Sequence, residues 1–361
     1  MSTTPTSVSG VPFWGQAWKL VVQYATAATA ATGTTDSLTI SYESWLPEAL
    51  RVTFEVAQVM NGSPVWYADI SLYNLDDQVA QNILQNATWA TLSAGFQTGP
   101  NVASIIWDGP VFQTLYSREG VVDQKVTLHC VASPLFLDEI VAFAVGPQAS
   151  QTQMLAAMCA QVNAPPLSDS SGNPTLGTLA AQRMNAVQYP RGKTVFGKVS
   201  RYFSQVADSN IVQNWNDGKQ LYISELTSGA TQPNYVFSPP LFGDYAQTQG
   251  LPPGTTQSIV GTPLQTPQGV VFTVLLDPRL KVQLPPLAVQ LVRTTVNTFQ
   301  RTPLSGDQGA AALNSNLLFF VAQVRHTGDT RGNEWTTEVT AWSATYAQTW
   351  DALLTAGPGG S

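Results

Sequence analysis

The sequence predicts a β-rich α+β fold in which two strand-rich regions flank a small α+β unit. Three observations predict it. Apolar and polar residues alternate in short runs up to residue 147 and again after residue 236, the period of half-buried strands. Between those regions apolar residues recur at helical spacing. Clusters of Gly, Pro, Asn and Asp punctuate the runs, as turns require. The boundaries read from these shifts are 1–147, 148–235 and 236–350, with a flexible tail at 351–361.

In the first region Val52, Phe54 and Val56 alternate in RVTFEV, and Trp66, Ala68, Ile70 and Leu72 alternate in VWYADISLY. KLVVQY and SLTISYES enclose ATAATAATGTTD, a low-complexity strip expected to be a mobile loop. DDQVAQNIL opens on acids and spaces Val79 and Ile83 four apart, the pattern of a short helix. ATLSAGF, SIIWDGPVFQTLY and DQKVTLHCVAS read as further strands. Many strands with one short helix point to a barrel or a sandwich.

In the middle unit TQMLAAMCAQV puts Leu155, Met158 and Val162 on one helix face. APPLSDSSGNP reads as a loop, and KTVFGKVSRYFSQVA spaces Val195, Val199, Tyr202 and Val206 as a second helix. NIVQNW and KQLYISE flank Asp217 and Gly218, a hairpin signal. In the last region SPPLFGDYAQTQGLPPGTTQ reads as an extended linker or loop. VVFTVLLD, LAVQLV, LLFFVAQVRH and EWTTEVTAWS read as strands, with GDTRGN as the turn between the last two and TAGPGGS as the tail. No close sequence repeat links the two strand-rich regions, although their similar size and strand content allow related folds.

Charged residues make up 11% of the 361 residues, against about 25% in average proteins. Two readings fit: burial of much of the surface against other subunits, since interface cores are depleted of charge, or a neutral surface rich in Thr, Ser, Gln and Asn. The net charge of −7 and the absence of basic clusters argue against tight nucleic-acid binding and against attraction to anionic membranes. Cys130 and Cys159 read as small core residues rather than a disulfide framework. No signal peptide and no membrane-length apolar run are read, so synthesis and folding in a cytoplasm are expected.

A search for catalytic chemistry finds little. The histidines are His129 and His326, and no phosphate loop, nucleophile elbow or metal-ligand spacing occurs. His129 is expected to face outward or to bond locally. The functional reading of HTGDTRGNEW makes His326, Asp329 and Glu334 a metal or acid–base site. The preferred reading is a structural hairpin loop of His326, Asp329, Thr330, Arg331, Gly332, Asn333 and Trp335, tied by Asp329–Arg331 and by contacts of His326 to its own backbone. Trp45, Trp66, Trp89, Trp107, Trp215, Trp335 and Trp342 raise sugar stacking, but packing in a core or interface is preferred. No catalytic, cofactor-binding or metal-binding residue is assigned.

The run Val321–Val339 resembles the end of the tube-like region of phage tail baseplate hub proteins, a family related to the N-terminal part of secretion-system spike proteins. Val324, His326, Asp329, Thr330, Trp335 and Thr337 fit its V-x-H-x-x-D-T-x-x-x-x-W-x-T hairpin. IVGTP at 259–263 and VLLDPRL at 274–280 resemble two further strands of the family. Ile70, Asn74, Leu75, Ile83, the Ala94–Phe96 run and the Trp107–Gly109 run follow its order. The resemblance covers roughly 45–345. Family members with a fused spike or muralytic domain extend further; neither domain is expected here.

The resemblance implies two tube-like β-barrel or split-barrel domains and a homotrimeric, pseudo-sixfold ring adapting a sixfold tail tube to a threefold spike. Implied partners are other copies of the chain, the tail tube protein, a separate spike protein, the tape-measure protein and other baseplate proteins. DNA is implied only as passing cargo, no cofactor is implied, and stable membrane insertion is not expected. The expected location is the virion tail, assembled in the host cytoplasm. The alternatives are a tail-associated cell-wall or glycan hydrolase and a carbohydrate-binding tail accessory protein.

Overall fold

The computed structural model describes residues 15–24, 36–43, 50–60, 66–97, 99, 101–119, 123–132, 138–162, 176–217, 220–225, 231–240, 254–292, 295–298, 310–312 and 318–344. Almost all of the ATAATAATGTTD strip, the APPLSDSSGNP loop, much of SPPLFGDYAQTQGLPPGTTQ and the TAGPGGS tail lie outside the described residues.

The chain has a β-rich α+β fold. The first region contributes β1 (Gln16–Tyr24), β2 (Asp36–Glu43), β3 (Val52–Val59), β4 (Tyr67–Tyr73), α1 (Asp77–Asn86), β5 (Ala87–Phe96), β6 (Ser104–Glu119) and β7 (Asp123–Val131). The middle contributes β8 (Ile140–Val145), β9 (Ala149–Ser150), α2 (Gln151–Gln161), α3 (Thr178–Ala186), β10 (Gln188–Tyr189), β11 (Lys193–Lys198), α4 (Val199–Asn210), β12 (Gln213–Asn216) and β13 (Leu221–Ser224). The last region contributes β14 (Tyr235–Ser238), β15 (Thr256–Gln257), β16 (Ile259–Gln265), β17 (Gly269–Leu275), β18 (Ala288–Leu291), β19 (Thr295–Thr298), β20 (Ala310–Ala312), β21 (Leu318–Asp329) and β22 (Trp335–Ser343).

The strands of the first and last regions hydrogen-bond into one sheet, in the order β2-β1-β5-β6-β7-β4-β3-β21-β22-β17-β16-β19-β20. Two long strands make this path possible. The first half of β6 pairs with β5 and its second half with β7, with a register shift between Val111 and Gln113. The first part of β21 pairs with β18 and its second part with β3, while β22 runs along the other edge and a shift falls between Val321 and Gln323. Such bulges bend a strand and increase its twist, which lets one strand serve two partners.

Alternation explains which side of the sheet is apolar. Val52, Phe54 and Val56 of β3, Ala68, Ile70 and Leu72 of β4, and Val126, Leu128 and Cys130 of β7 are buried together. Val324 of β21, Val339 of β22 and Phe272 of β17 join the same apolar cluster. Gln58 enters this core with a bond at each end of its amide: Nε2 donates to the Ile106 carbonyl at 3.3 Å, and Oε1 accepts from Val282 N–H at 3.0 Å. α1 opens on Asp76, whose carboxylate accepts from Gln78 N–H at 3.0 Å, and closes the core with Ala80 and Ile83.

The helices of the middle unit surround a second cluster containing Leu155, Met158, Val199, Phe203 and Ile223. That cluster includes Val141 of β8, from before residue 148. α2 begins with a reciprocal capping box between Ser150 and Gln153. The KTVFGK half of the expected second helix is instead β11, antiparallel to β8. Val195 and Val199 reach the same core from a strand and a helix, which reproduced helical spacing across a break. The break falls at Gly197, whose φ of 144° lies outside what side-chain-bearing residues readily adopt.

Both free cysteines are buried, and burial pushes the thiol pKa up to about 12 for Cys130 and about 11 for Cys159. They stay protonated and unreactive at neutral pH. Among the described residues no helix is long and apolar enough to cross a membrane.

Because one apolar cluster serves both strand-rich regions, Ile70→Ala is expected to lower unfolding free energy by about 3 kcal/mol. Hydrogen exchange should show protection falling together in β4 and β17. A loss confined to β4 would contradict a shared core.

Candidate functional site

Residues distant in sequence converge where β3 meets β21. The register pairs His326 with Val56, Thr327 with Glu55 and Asp329 with Thr53. Beyond the last ladder pair, Thr330 N–H donates to the Val52 carbonyl at 3.0 Å, and Val52 N–H donates to Thr330 Oγ1 at 2.9 Å. Arg51 then holds Asp329 through two hydrogen bonds, Nε to Oδ1 at 3.2 Å and Nη2 to Oδ2 at 2.9 Å. Arg331 N–H donates to Asp329 Oδ1 at 3.0 Å, which shapes the turn. Burial pushes the Asp329 carboxyl up, but Arg51 and the Arg331 and Gly332 backbones outweigh it and hold the pKa below the usual carboxylate value.

This differs from the expected loop in two ways. His326 lies within β21, not in the turn, and is fully buried. Its contact is to the Thr337 side chain rather than to its own backbone, and beside the expected Asp329–Arg331 tie, made by the Arg331 backbone N–H, Asp329 is held by Arg51 from the first strand-rich region. Alternation decides the first point: Val324, His326 and Gly328 share the inward side of β21. No local pattern reveals the second, because Arg51 and Asp329 stand 278 positions apart.

Each residue of the hairpin motif meets something specific. Trp335 Nε1 donates to the Gly95 carbonyl at 2.9 Å, and its ring meets Phe54 edge-on with centroids 5.3 Å apart. Thr337 Oγ1 accepts from Asp277 N–H at 2.9 Å and lies 2.8 Å from His326 Nδ1. Nε2 is buried without a hydrogen-bond partner among the described residues. Gly328 is needed for close approach, since an added methyl group would collide with Phe54 and Trp335.

Asp277, absent from the residues singled out above, is fully buried. Arg279 binds it through Nε at 2.9 Å and Nη2 at 2.6 Å and also reaches Asn101 Oδ1 at 2.8 Å, a second tie between the regions. The signal available for this pair was its i, i+2 spacing in LLDPRL.

The outer side of the same sheet is a polar face across β7, β4, β3 and β21. His129 Nδ1 lies 2.6 Å from Asp69 Oδ1, and Ser71 bonds Thr127 at 3.0 Å. Glu55 accepts from Tyr67 at 2.6 Å and from Arg325 at 2.9 and 2.8 Å. Arg325 holds the Glu55 carboxyl below its ordinary pKa, while Glu55 pushes the Tyr67 phenol up to about 12. These carboxylates are therefore matched within the face. His326, Asp329 and Glu334 do not form a metal set, and among the described residues no group of three or more His, Cys, Asp or Glu converges as one would.

Among the described residues the tryptophans do not line a sugar platform. Trp66, Trp107, Trp215 and Trp335 are buried, and Trp89 and Trp342 are half-buried, with Trp89 Nε1 donating to Asp108 at 2.7 Å. Trp45 lies outside the described residues.

The pH dependence of stability follows from His326. Burial lowers its pKa to about 4 from 6.5, so the folded state keeps it neutral while the unfolded chain takes up a proton. The stability it supports is complete above pH 6.5 and falls as pH drops toward about 4, by about 3 kcal/mol over that window. Asp329, with its lowered pKa, adds loss at still more acid pH. Urea unfolding at stepped pH should show this slope in the native chain and lose the His326 part in His326→Asn. An unchanged slope in the variant would contradict the assignment.

No protein-family model matches this sequence, and no curated protein matches it. Similar solved structures include a tail protein from Neisseria meningitidis, 12% identical, covering 94% of this chain and 99% of that one with a TM-score of 0.49. A 43 kDa tail protein of prophage MuSo2 from Shewanella oneidensis is 7% identical, covering 92% of this chain and 99% of that one with a TM-score of 0.48. A type VI secretion component of Escherichia coli, described as structurally similar to T4 tail proteins, is 11% identical, covering 84% and 76% with a TM-score of 0.45.

Proposed function

We propose that the chain is a structural hub of a phage-type tail, three copies of which form a ring between the tail tube and a separate spike. In this reading 1–147 and 236–350 are tube-like β-barrel domains, 148–235 braces neighbouring copies, and 351–361 is a flexible tail. Three copies supply six β domains, which reconciles a sixfold tube with a threefold spike. Copies meet head to tail through one repeated heterologous interface, so assembly ends at a closed ring. The tape-measure protein and other baseplate proteins complete the surroundings, in a virion tail assembled in the host cytoplasm.

The observation that carries this reading is the polar face that crosses the β3–β21 joint without interruption. A wall facing passing DNA must be wettable yet must not grip phosphates, because each unpaired cation adds affinity through counterion release. On this face Arg325 is bound to Glu55 and Lys125 lies over the Tyr73 ring, and the chain carries a net charge of −7, all of which support the reading. The low charge fraction supports extensive burial between subunits. The hydrolase alternative needs two carboxylates free to act on a glycosidic bond. Glu55 and Asp329 are instead bound to arginines and Asp69 to His129, which favours a structural role.

Averaged images of an assembled tail are expected to show one ring with three copies of this chain. Six copies per ring would overturn the proposal. Incubation with purified cell wall and oligosaccharides is expected to release no product; turnover abolished by changing a single acidic residue would favour the hydrolase.

A further inference from the structure

The seam between the two strand-rich regions opens a cavity of about 620 Å³. Ser93 and Ser104 line it from the first region, and Tyr235, Arg279, Lys281 and Gln283 line it from the last. Ile105, 56% exposed, adds an apolar wall. Both charged residues lining the cavity are cations.

The two cations differ in role. Arg279 is pinned by Asp277, Asn101 and Thr256 through Nε and Nη2, and its guanidinium lies 4.7 Å from the centre of the Tyr235 ring. The buried Asp277 carboxylate is neutralised by that contact and adds no net negative charge to the cavity. Lys281 is exposed and makes no ion pair among the described residues. With Arg279 and Asp277 cancelling, Lys281 is the one uncompensated charge in the lining, and it stands beside apolar surface and hydroxyl-bearing side chains in a chain with 23 acidic and 16 basic residues.

We propose that this cavity docks an acidic segment of a partner protein. A Glu or Asp carboxylate meets Lys281 at the edge of the pinned Arg279, and a neighbouring aliphatic side chain covers Ile105. Charge complementarity selects the carboxylate. The volume falls within the range of about 300–1,000 Å³ typical of built pockets, room for a short run of side chains. A nucleic acid fits less well, because a phosphate backbone needs a row of cations along an open track rather than a single unpaired lysine in a concavity. The inference does not rest on the hub reading, and its test needs no assembled tail.

The test uses the full chain and fluorescence anisotropy at low salt. The probes are a labelled peptide of alternating glutamate and leucine, its glutamine counterpart and a labelled DNA duplex. The glutamate peptide is expected to bind, with the glutamine peptide about tenfold weaker, the loss of one charged hydrogen bond. Lys281→Glu should weaken the glutamate peptide by at least that factor, Lys281→Gln should weaken it less, and Lys281→Arg should retain it. Lys281 is exposed, so matched thermal melts are expected for all variants, and Arg279 is left intact because it holds a buried carboxylate. Equal binding of the two peptides, no binding, or indifference to Lys281→Glu overturns the proposal. Tighter, Lys281-dependent binding of the duplex overturns it in favour of a nucleic-acid site.

Discussion

The antiparallel pairing of β3 with β21 ties together what would otherwise be two sheets. Its backbone ladder runs from Gln323–Val59 to Asp329–Thr53, and the bonds between Thr330 and Val52 extend it by one step. Around it lie the Phe54–Trp335 ring contact, the His326–Thr337–Asp277 chain and the Arg51–Asp329 pair. Inward residues on both strands feed one apolar cluster, and outward residues make one polar face. Both sides of the sheet therefore depend on this single register. A slip by one residue would turn His326 outward and Arg325 inward, burying an unpaired cation at a cost of several kcal/mol.

Much of the architecture was legible because strand alternation is a local signal. β3, β4 and β7 follow directly from Val52, Phe54 and Val56, from Ala68, Ile70 and Leu72, and from Val126, Leu128 and Cys130. α1 was legible from its leading acids and the Val79–Ile83 spacing. KTVFGK was misread because Val195 and Val199 mimic helical spacing across the glycine break, and the signal against it was Gly197 beside a β-branched run. The hairpin motif marked the correct place in the chain, but its partners were not legible. Arg51, Gly95 and Asn101 carry no local mark of their bonds to Asp329, Trp335 and Arg279, since those bonds exist only once the sheet has formed.

The polar face shows how a sheet side can be both ionic and nearly inert. Its acids are held by neighbours one strand away, Glu55 by Arg325 and Tyr67, and Asp69 by His129. Cross-strand pairs of this kind each contribute a fraction of a kcal/mol to about 1 kcal/mol, so their larger effect is on the field that a passing or docked molecule meets. Lys281, at the cavity, stands apart from these pairs.

The distance along the chain between β3 and β21 bears on how the protein is made. Glu55 and Arg325 are separated by 270 positions. At ribosomal speeds of roughly 5–20 residues per second, β3 waits on the order of 15–50 s for its neighbour to be synthesised. Throughout that interval the nascent first region presents a naked strand edge lined by Phe54 and Val56, the kind of edge that recruits stray strands. Crowded synthesis of many copies makes that interval the vulnerable one. A chaperone or an early-arriving partner that shields β3 would then govern yield more strongly than the stability of the finished fold.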